Sequence, residues 1–262
     1  FTERTNYRAD AVDADAFRAG TAWGRVAFAP AEGHTVSLSY TRQDTSRTYY
    51  PYLQMDAITD DADRLGLTWE AKPSGAVTAA KLSAYYTQVD HWMTDQYRTS
   101  AGTAPRGFSM GTDAFSRTLG GKLEATAFGV TAGVEAYRRF WDTTTAMAGS
   151  AYKPQASLPG ASTDVIGLFA ERAFPLARGL TLAAGVRWDS ASSGVDEAKA
   201  STDLAWAYLG TRAISESDAL PAGSLRLRWQ ATAPLELSVG VGSVARVPEP
   251  EERWFSLKRM GS

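Results

Sequence analysis

The chain has 262 residues, enough for one large β domain or two small ones, and it carries 11% aromatic residues including 8 Trp and 11 Tyr. A net charge of -2 offers no basic field for nucleic acid, and the absence of cysteine excludes a disulfide scaffold, a thiolate zinc site and a cysteine nucleophile. No apolar run approaches the roughly 18 residues of a spanning helix. The opening FTERTNYRAD has neither an initiator Met nor signal-peptide character, so an internal piece or a processed product is expected.

In chain order, about ten segments alternate with period two: 16–29, 34–46, 62–72, 76–91, 115–127, 129–141, 163–173, 179–190, 222–232 and 234–246. TVSLSYT puts Val36, Leu38 and Tyr40 on one face. RLGLTWEAK sets Leu65, Leu67, Trp69 and Ala71 against Arg64, Gly66, Thr68 and Glu70. KLSAYYTQVDHWM sets Leu82, Ala84 and Tyr86 against Lys81, Ser83, Tyr85, Thr87, Val89, His91 and Met93. TLGGKLEATA opposes Leu119, Leu123, Ala125 and Ala127 to Thr118, Lys122, Glu124 and Thr126, and SLRLRWQATA opposes Leu225, Leu227, Trp229 and Ala231 to Ser224, Arg226, Arg228 and Gln230. Short connections (30–33, 72–75, the break at Phe128 and Gly129, 175–179, 233–235) alternate with long ones (47–61, 92–114, 142–162, 191–221).

A soluble sandwich has no reason to alternate its loop lengths. An outer-membrane barrel does, with short periplasmic turns, long external loops, an apolar face toward lipid and a polar face toward the lumen. The expected fold is therefore all-β: the antiparallel strands of a transmembrane β-barrel, neighbours in sequence order, with no helix longer than about two turns. Leu65, Leu67, Trp69, Leu225, Leu227 and Trp229 should face lipid, and Lys122, Glu124, Arg226 and Arg228 the lumen or a plug within it. Tyr40, Trp69, Trp188 and Trp229 suit interfacial girdles. No enzyme is expected, because no G-x-S-x-G elbow occurs and neither histidine has a partner at motif spacing. The run Asp60, Asp61, Asp63 lacks calcium-loop spacing and reads as a solvated external loop. Gly120-Gly121 reads as room for close backbone approach, and His34 as a solvated turn residue.

His91 and Met93 have two readings. They are unrelated side chains at a strand end, or they are a soft ligand pair pointing into the lumen at its external end, ~7 Å apart at Cα. An imidazole with a thioether favours copper, Cu(I) above all, over zinc, calcium or iron(III). Met55 in an external loop, Met110 at the end of the next and Met147 within the one after are accessory soft contacts on this reading, although methionine is commonly a packing residue.

VARVPEPEERW resembles the Arg-x-Pro…Glu segment that follows a mid-barrel strand in TonB-dependent outer-membrane receptors. YYTQVDHWMTDQ, YPYLQMDAITDD and GFSMGTDAFSRTLGGKLEA together resemble the copper-receptor subfamily, whose tract Val-Asp-His-x-Met-x-Asp carries a half-site for copper. The resemblance implies that 1–262 is part of a plugged barrel of about 22 strands, roughly its first half, with the plug and the later strands outside it. It implies His91 and Met93 as metal ligands. The subfamily's second half-site is a Cys-x-x-x-Met motif on the plug. It further implies a receptor that imports copper across the outer membrane of a Gram-negative bacterium, in contact with outer-membrane lipid and driven through the plug by the TonB–ExbB–ExbD complex. The alternatives are a siderophore or other metal-chelate receptor, or a passive outer-membrane channel or adhesin.

Overall fold

Period-two alternation can be satisfied only by strands whose two faces meet different surroundings, and each tight turn can join only adjacent antiparallel strands. The computed structural model describes residues 4–5, 11–12, 18–50, 53–98, 101, 107–148 and 153–257. Within them β1 (Arg4–Thr5) pairs with β2 (Ala11–Val12). The ten long strands are β3 (Arg18–Phe28), β4 (His34–Thr48), β5 (Asp56–Ala71), β6 (Val77–Thr94), β7 (Ser109–Ala127), β8 (Val130–Ala148), β9 (Gln155–Ala177), β10 (Leu180–Gly194), β11 (Ser215–Thr232) and β12 (Leu235–Ser243). Helix α1 (Thr202–Leu209) lies between β10 and β11, and α2 (Pro250–Trp254) follows β12. The strands form one sheet in strict sequence order, every pair antiparallel, with β3 and β12 at its edges. The longer helix has 8 residues, a little over two turns.

Cross-strand partners share a face, so the register traces each face across the sheet. Leu67 lies between Leu38 and Ala84. Leu123 joins Leu82 to Val134, Leu168 joins Val134 to Trp188, and Leu227 joins Leu182 to Val239. All six apolar residues expected toward lipid lie on this face. It is bare: Leu168 is 60% and Val239 68% exposed, values that suit lipid and would be costly in water across so wide a surface.

The opposite face carries the charges. Lys81 Nζ lies 2.9 Å from Glu70 and Lys122 Nζ 2.6 Å from Glu124, while Arg187 bridges Glu135 at 2.9 Å and Asp189 at 2.7 Å. Arg226 and Arg228 share this face through Ala183 and Thr181. At the periplasmic end, Phe128 (φ 52°) and Gly129 (φ 74°) form a two-residue turn with both residues left-handed, the geometry that matches strand twist in tight hairpins.

Three expectations need correction. The strands run farther outward than the apolar alternation does, so the external connections shrink to 49–55, 95–108, 149–154 and 195–214. Above the lipid band both faces are wet, and the ladder continues without any apolar pattern to announce it. Asp60, Asp61 and Asp63 accordingly lie inside β5 rather than in a loop, and Met110 and Met147 lie inside β7 and β8. His34 is also partnered: its ring stacks on Trp69 at 5.9 Å, and its Nδ1 accepts the Trp69 indole N–H at 3.3 Å.

After β12 the chain turns back across the polar face of β8–β11 as a strap. Arg139 pairs with Glu249. Arg253 reaches Asp218 Oδ1 at 2.8 Å and Ser193 Oγ at 3.0 Å. Trp254, only 5% exposed, packs with Leu158, Ala161, Trp141 and Val195. The Ser256 N–H donates to Ser157 O at 2.9 Å, and Tyr208 of α1 donates its hydroxyl to Leu257 O at 2.6 Å. The strap begins with a bidentate pair, Arg246 to Glu252 at 2.6 Å for each bond, and Glu252 also accepts the Glu249 N–H at 2.8 Å. The Arg246 guanidinium, helped by that N–H, lowers the Glu252 carboxyl from 4.5 to about 2.

Candidate metal-binding site

His91 and Met93 are two residues apart on β6, on its polar face and near its external end. Their neighbours across the ladder are small on at least one side. His91 lies between Asp60 and Ala114, and Met93 between Ala57 and Thr112. A register shift between Ala57 and Thr59 brings Ala57 opposite Met93. Bulges of this kind re-aim side chains at barrel rims. On one side His91 and Met93 each meet only the methyl group of an alanine. His91 Nδ1 lies 3.5 Å from Asp60 Oδ1.

The other methionines lie at the same external end of the sheet. Met110 and Met147 are direct cross-strand partners, two residues beyond the Thr112–Thr145 pair. Met110 is therefore the diagonal neighbour of Met93 on the same face. Met55 precedes β5, and its Sδ lies 4.0 Å from Thr112 Oγ1, next to Met93. All four thioethers and His91 are half-buried.

Two devices hold the thioethers in place. The first is a clamp: Arg98 donates from Nε to Asp56 Oδ2 at 2.7 Å, from Nη1 to Leu53 O at 2.6 Å and from Nη2 to Tyr50 O at 3.0 Å. It fastens the connection carrying Met55 to buried Asp56, which in turn accepts the Tyr50 N–H at 2.9 Å. The pairing raises the Arg98 guanidinium above its ordinary value. The second is a hydroxyl chain behind the methionines, Thr112 to Thr145 at 3.1 Å and Thr145 to Ser157 at 3.0 Å, which fixes β7, β8 and β9 to one another.

Sequence reasoning singled out all five soft donors but not their adjacency across β5–β8, which depends on cross-strand register. It missed the Arg98–Asp56 clamp entirely. It read Asp60 as part of an acidic loop, although the parity that puts Asp60 on the face of Arg64 and Glu70 was available. Among the described residues no group of three or more His, Asp or Glu converges on one point. The donors that do share a wall are one imidazole and four thioethers, a soft set.

The family described as TonB dependent receptor-like, beta-barrel, matches residues 3–258. No curated protein sequence matches the chain. Among solved structures it is similar to the "Copper transporter OprC", with TM-score 0.77 and 20% identity over 94% of this chain and 40% of that one. It is also similar to the FrpB iron transporter from Neisseria meningitidis (F5-1 variant, apoprotein form), with TM-score 0.62 and 14% identity over 94% of this chain and 39% of that one. The chain thus spans about 40% of the length of these structures. At such identities the likeness is one of fold. The wet inner wall, the bare apolar outer face and the family match agree: this chain belongs to the TonB-dependent receptors, as part of the β-barrel that they place in the outer membrane of Gram-negative bacteria.

Proposed function

We propose that the chain is part of the barrel of a receptor that imports copper, with His91 and Met93 as the barrel's half of the binding site. One observation carries the reading: an imidazole and three thioethers share one face of the adjacent strands β6, β7 and β8 at the external end of the wall, and the Met55 thioether reaches the same face from the connection before β5. Such donors select Cu(I). The similar structure whose name states copper transport supports the same substrate. Met55, Met110 and Met147 supply further soft contacts along the access route. The remaining ligands come from a plug domain in the lumen, and coupling to the TonB–ExbB–ExbD complex through that plug releases the metal inward.

Metal analysis of the purified receptor tests this. Replacing His91 or Met93 by Ala should lower retained copper at least about tenfold without reducing barrel folding, because neither side chain faces lipid. Zinc should compete poorly. Undiminished copper in both variants would return the pair to ordinary strand-end residues. An iron chelate is the second reading, favoured only by the likeness to the iron transporter. Uptake of ferric chelate that is indifferent to His91→Ala and Met93→Ala would establish it.

A further inference from the structure

The acidic run of β5 is divided by strand alternation. Asp61 and Asp63 lie on the outer face, where Arg42 reaches them at 3.2 Å and 2.7 Å. Asp60 lies on the inner face, directly across the ladder from His91. Asp60 Oδ1 lies 3.5 Å from His91 Nδ1. The other ladder neighbour of His91 is Ala114, which has no polar side-chain group to offer. Of the two residues directly opposite His91, only Asp60 carries a polar side-chain group.

We propose that Asp60 is the positioning residue for His91: it accepts the Nδ1–H and so presents Nε2 to the metal. The assignment rests on the copper reading above. Nδ1 is the ring nitrogen nearer the backbone and Nε2 the one farther out. A carboxylate at Nδ1 selects the Nδ1–H tautomer, which leaves the lone pair on the nitrogen that projects from the wall into the lumen. The negative charge behind the ring also makes Nε2 a stronger donor. A carboxylate behind a ligating imidazole commonly changes metal affinity about 10–100-fold. The strand geometry fixes both partners, because Asp60 is laddered to β4 and β6 and His91 to β5 and β7.

Binding of Ag(I), a soft and redox-inert probe that does not favour carboxylate oxygen, separates positioning from direct ligation. In the purified full-length receptor, Asp60→Ala should weaken Ag(I) binding about 10–100-fold. Asp60→Asn keeps an acceptor oxygen and should recover most of the loss. In a His91→Ala background, Asp60→Ala should change nothing further. Ag(I) affinity within twofold of wild type in Asp60→Ala, with His91→Ala strongly impaired, overturns the proposal and leaves the copper reading standing. An additive loss in the double variant overturns it also, as does loss of Cu(II) binding with Ag(I) unchanged, which would make Asp60 a ligand. Unimpaired binding in His91→Ala instead removes the copper reading, and this assignment with it. Should Asp60→Ala fail to fold, nitrogen-15 NMR of the His91 ring in the metal-free wild type decides. A proton on Nδ1 is expected, and a proton on Nε2 overturns the proposal.

Discussion

The external end of the inner wall is built as one ladder but finished in two ways. Over β8–β11 the strap lies against the sheet, and Trp254, Leu158 and Ala161 are buried together at 5%, 1% and 0% exposure. Across β5–β8 the corresponding positions alternate alanine and threonine with half-buried thioethers and one imidazole. The first region has the composition of a small protein core and is held by ion pairs at Arg139 and Arg253. The second leaves its thioethers and imidazole half-buried, with no strap over them among the described residues. The difference teaches that the wall divides labour by strand: one sector is filled, and the other is left to face whatever enters the lumen.

The polar face is the inner one, and the largest expected effect on the barrel as a whole tests this. Arg in place of Leu67 should cost about 2–4 kcal/mol of barrel stability, the usual cost of a charge on the lipid face near the midplane. Arg in place of its neighbour Thr68 should cost well under half of that. Equal costs in folding titrations into bilayers would reverse the faces. Next comes Trp254→Ala, whose effect is local. Truncating a buried tryptophan costs about 3–5 kcal/mol in a protein core; here the loss should fall on the strap alone. Hydrogen exchange should accelerate in 155–165 and 250–257, while copper retention at His91 stays at the wild-type level. A drop in copper would mean that the two sectors are one site.

Arg98→Ala should have a smaller effect, about 1–3 kcal/mol of local stability, because it leaves the buried Asp56 carboxylate without its guanidinium partner. Faster exchange confined to 49–57 is expected, with a loss of the Met55 contribution but not of His91 binding. The smallest effect concerns pH. Glu252 is held at about 2 against an ordinary 4.5, so its ionised form is favoured in the folded strap. The contribution is fully present above pH 4.5 and is lost as pH falls through about 2. A fluorotryptophan signal from Trp254 should therefore hold its position from neutral pH down to about 4 and move only below that. A change centred near pH 6 would exclude the Arg246–Glu252 pair as its source.

The fold was legible wherever lipid imposes a contrast between faces. Leu65, Leu67 and Trp69 announce β5 because their partners on the other face are Arg64, Thr68 and Glu70. Beyond the membrane that contrast ends. DTTTAMA (142–148) and QASLPGAS (155–162) carry no apolar period, yet both continue the ladder of β8 and β9. His91 and Met93 were legible as a pair because two residues apart on a strand means one face. The Met110–Met147 pairing was not, since it depends on the register between segments joined through a periplasmic turn. The strap was hidden for a different reason. VARVPEPEERW has no period at all, and its place is set by ion pairs and one tryptophan rather than by alternation.

The height of the strands has one more consequence. β9 has 23 residues, ~75 Å of extended chain at ~3.3 Å per residue, far more than a tilted crossing of a hydrocarbon layer ~30 Å thick requires. The receptor wall therefore rises above the membrane as a stiff collar, and Met110 and Met147 are mounted on that collar instead of on swinging loops. A loop must give up its freedom each time it closes on an ion, and that loss of entropy subtracts from affinity at every encounter. A backbone held in a hydrogen-bonded ladder has surrendered that freedom during folding. If the proposed copper site is correct, the ion meets a backbone already in the shape that binding needs.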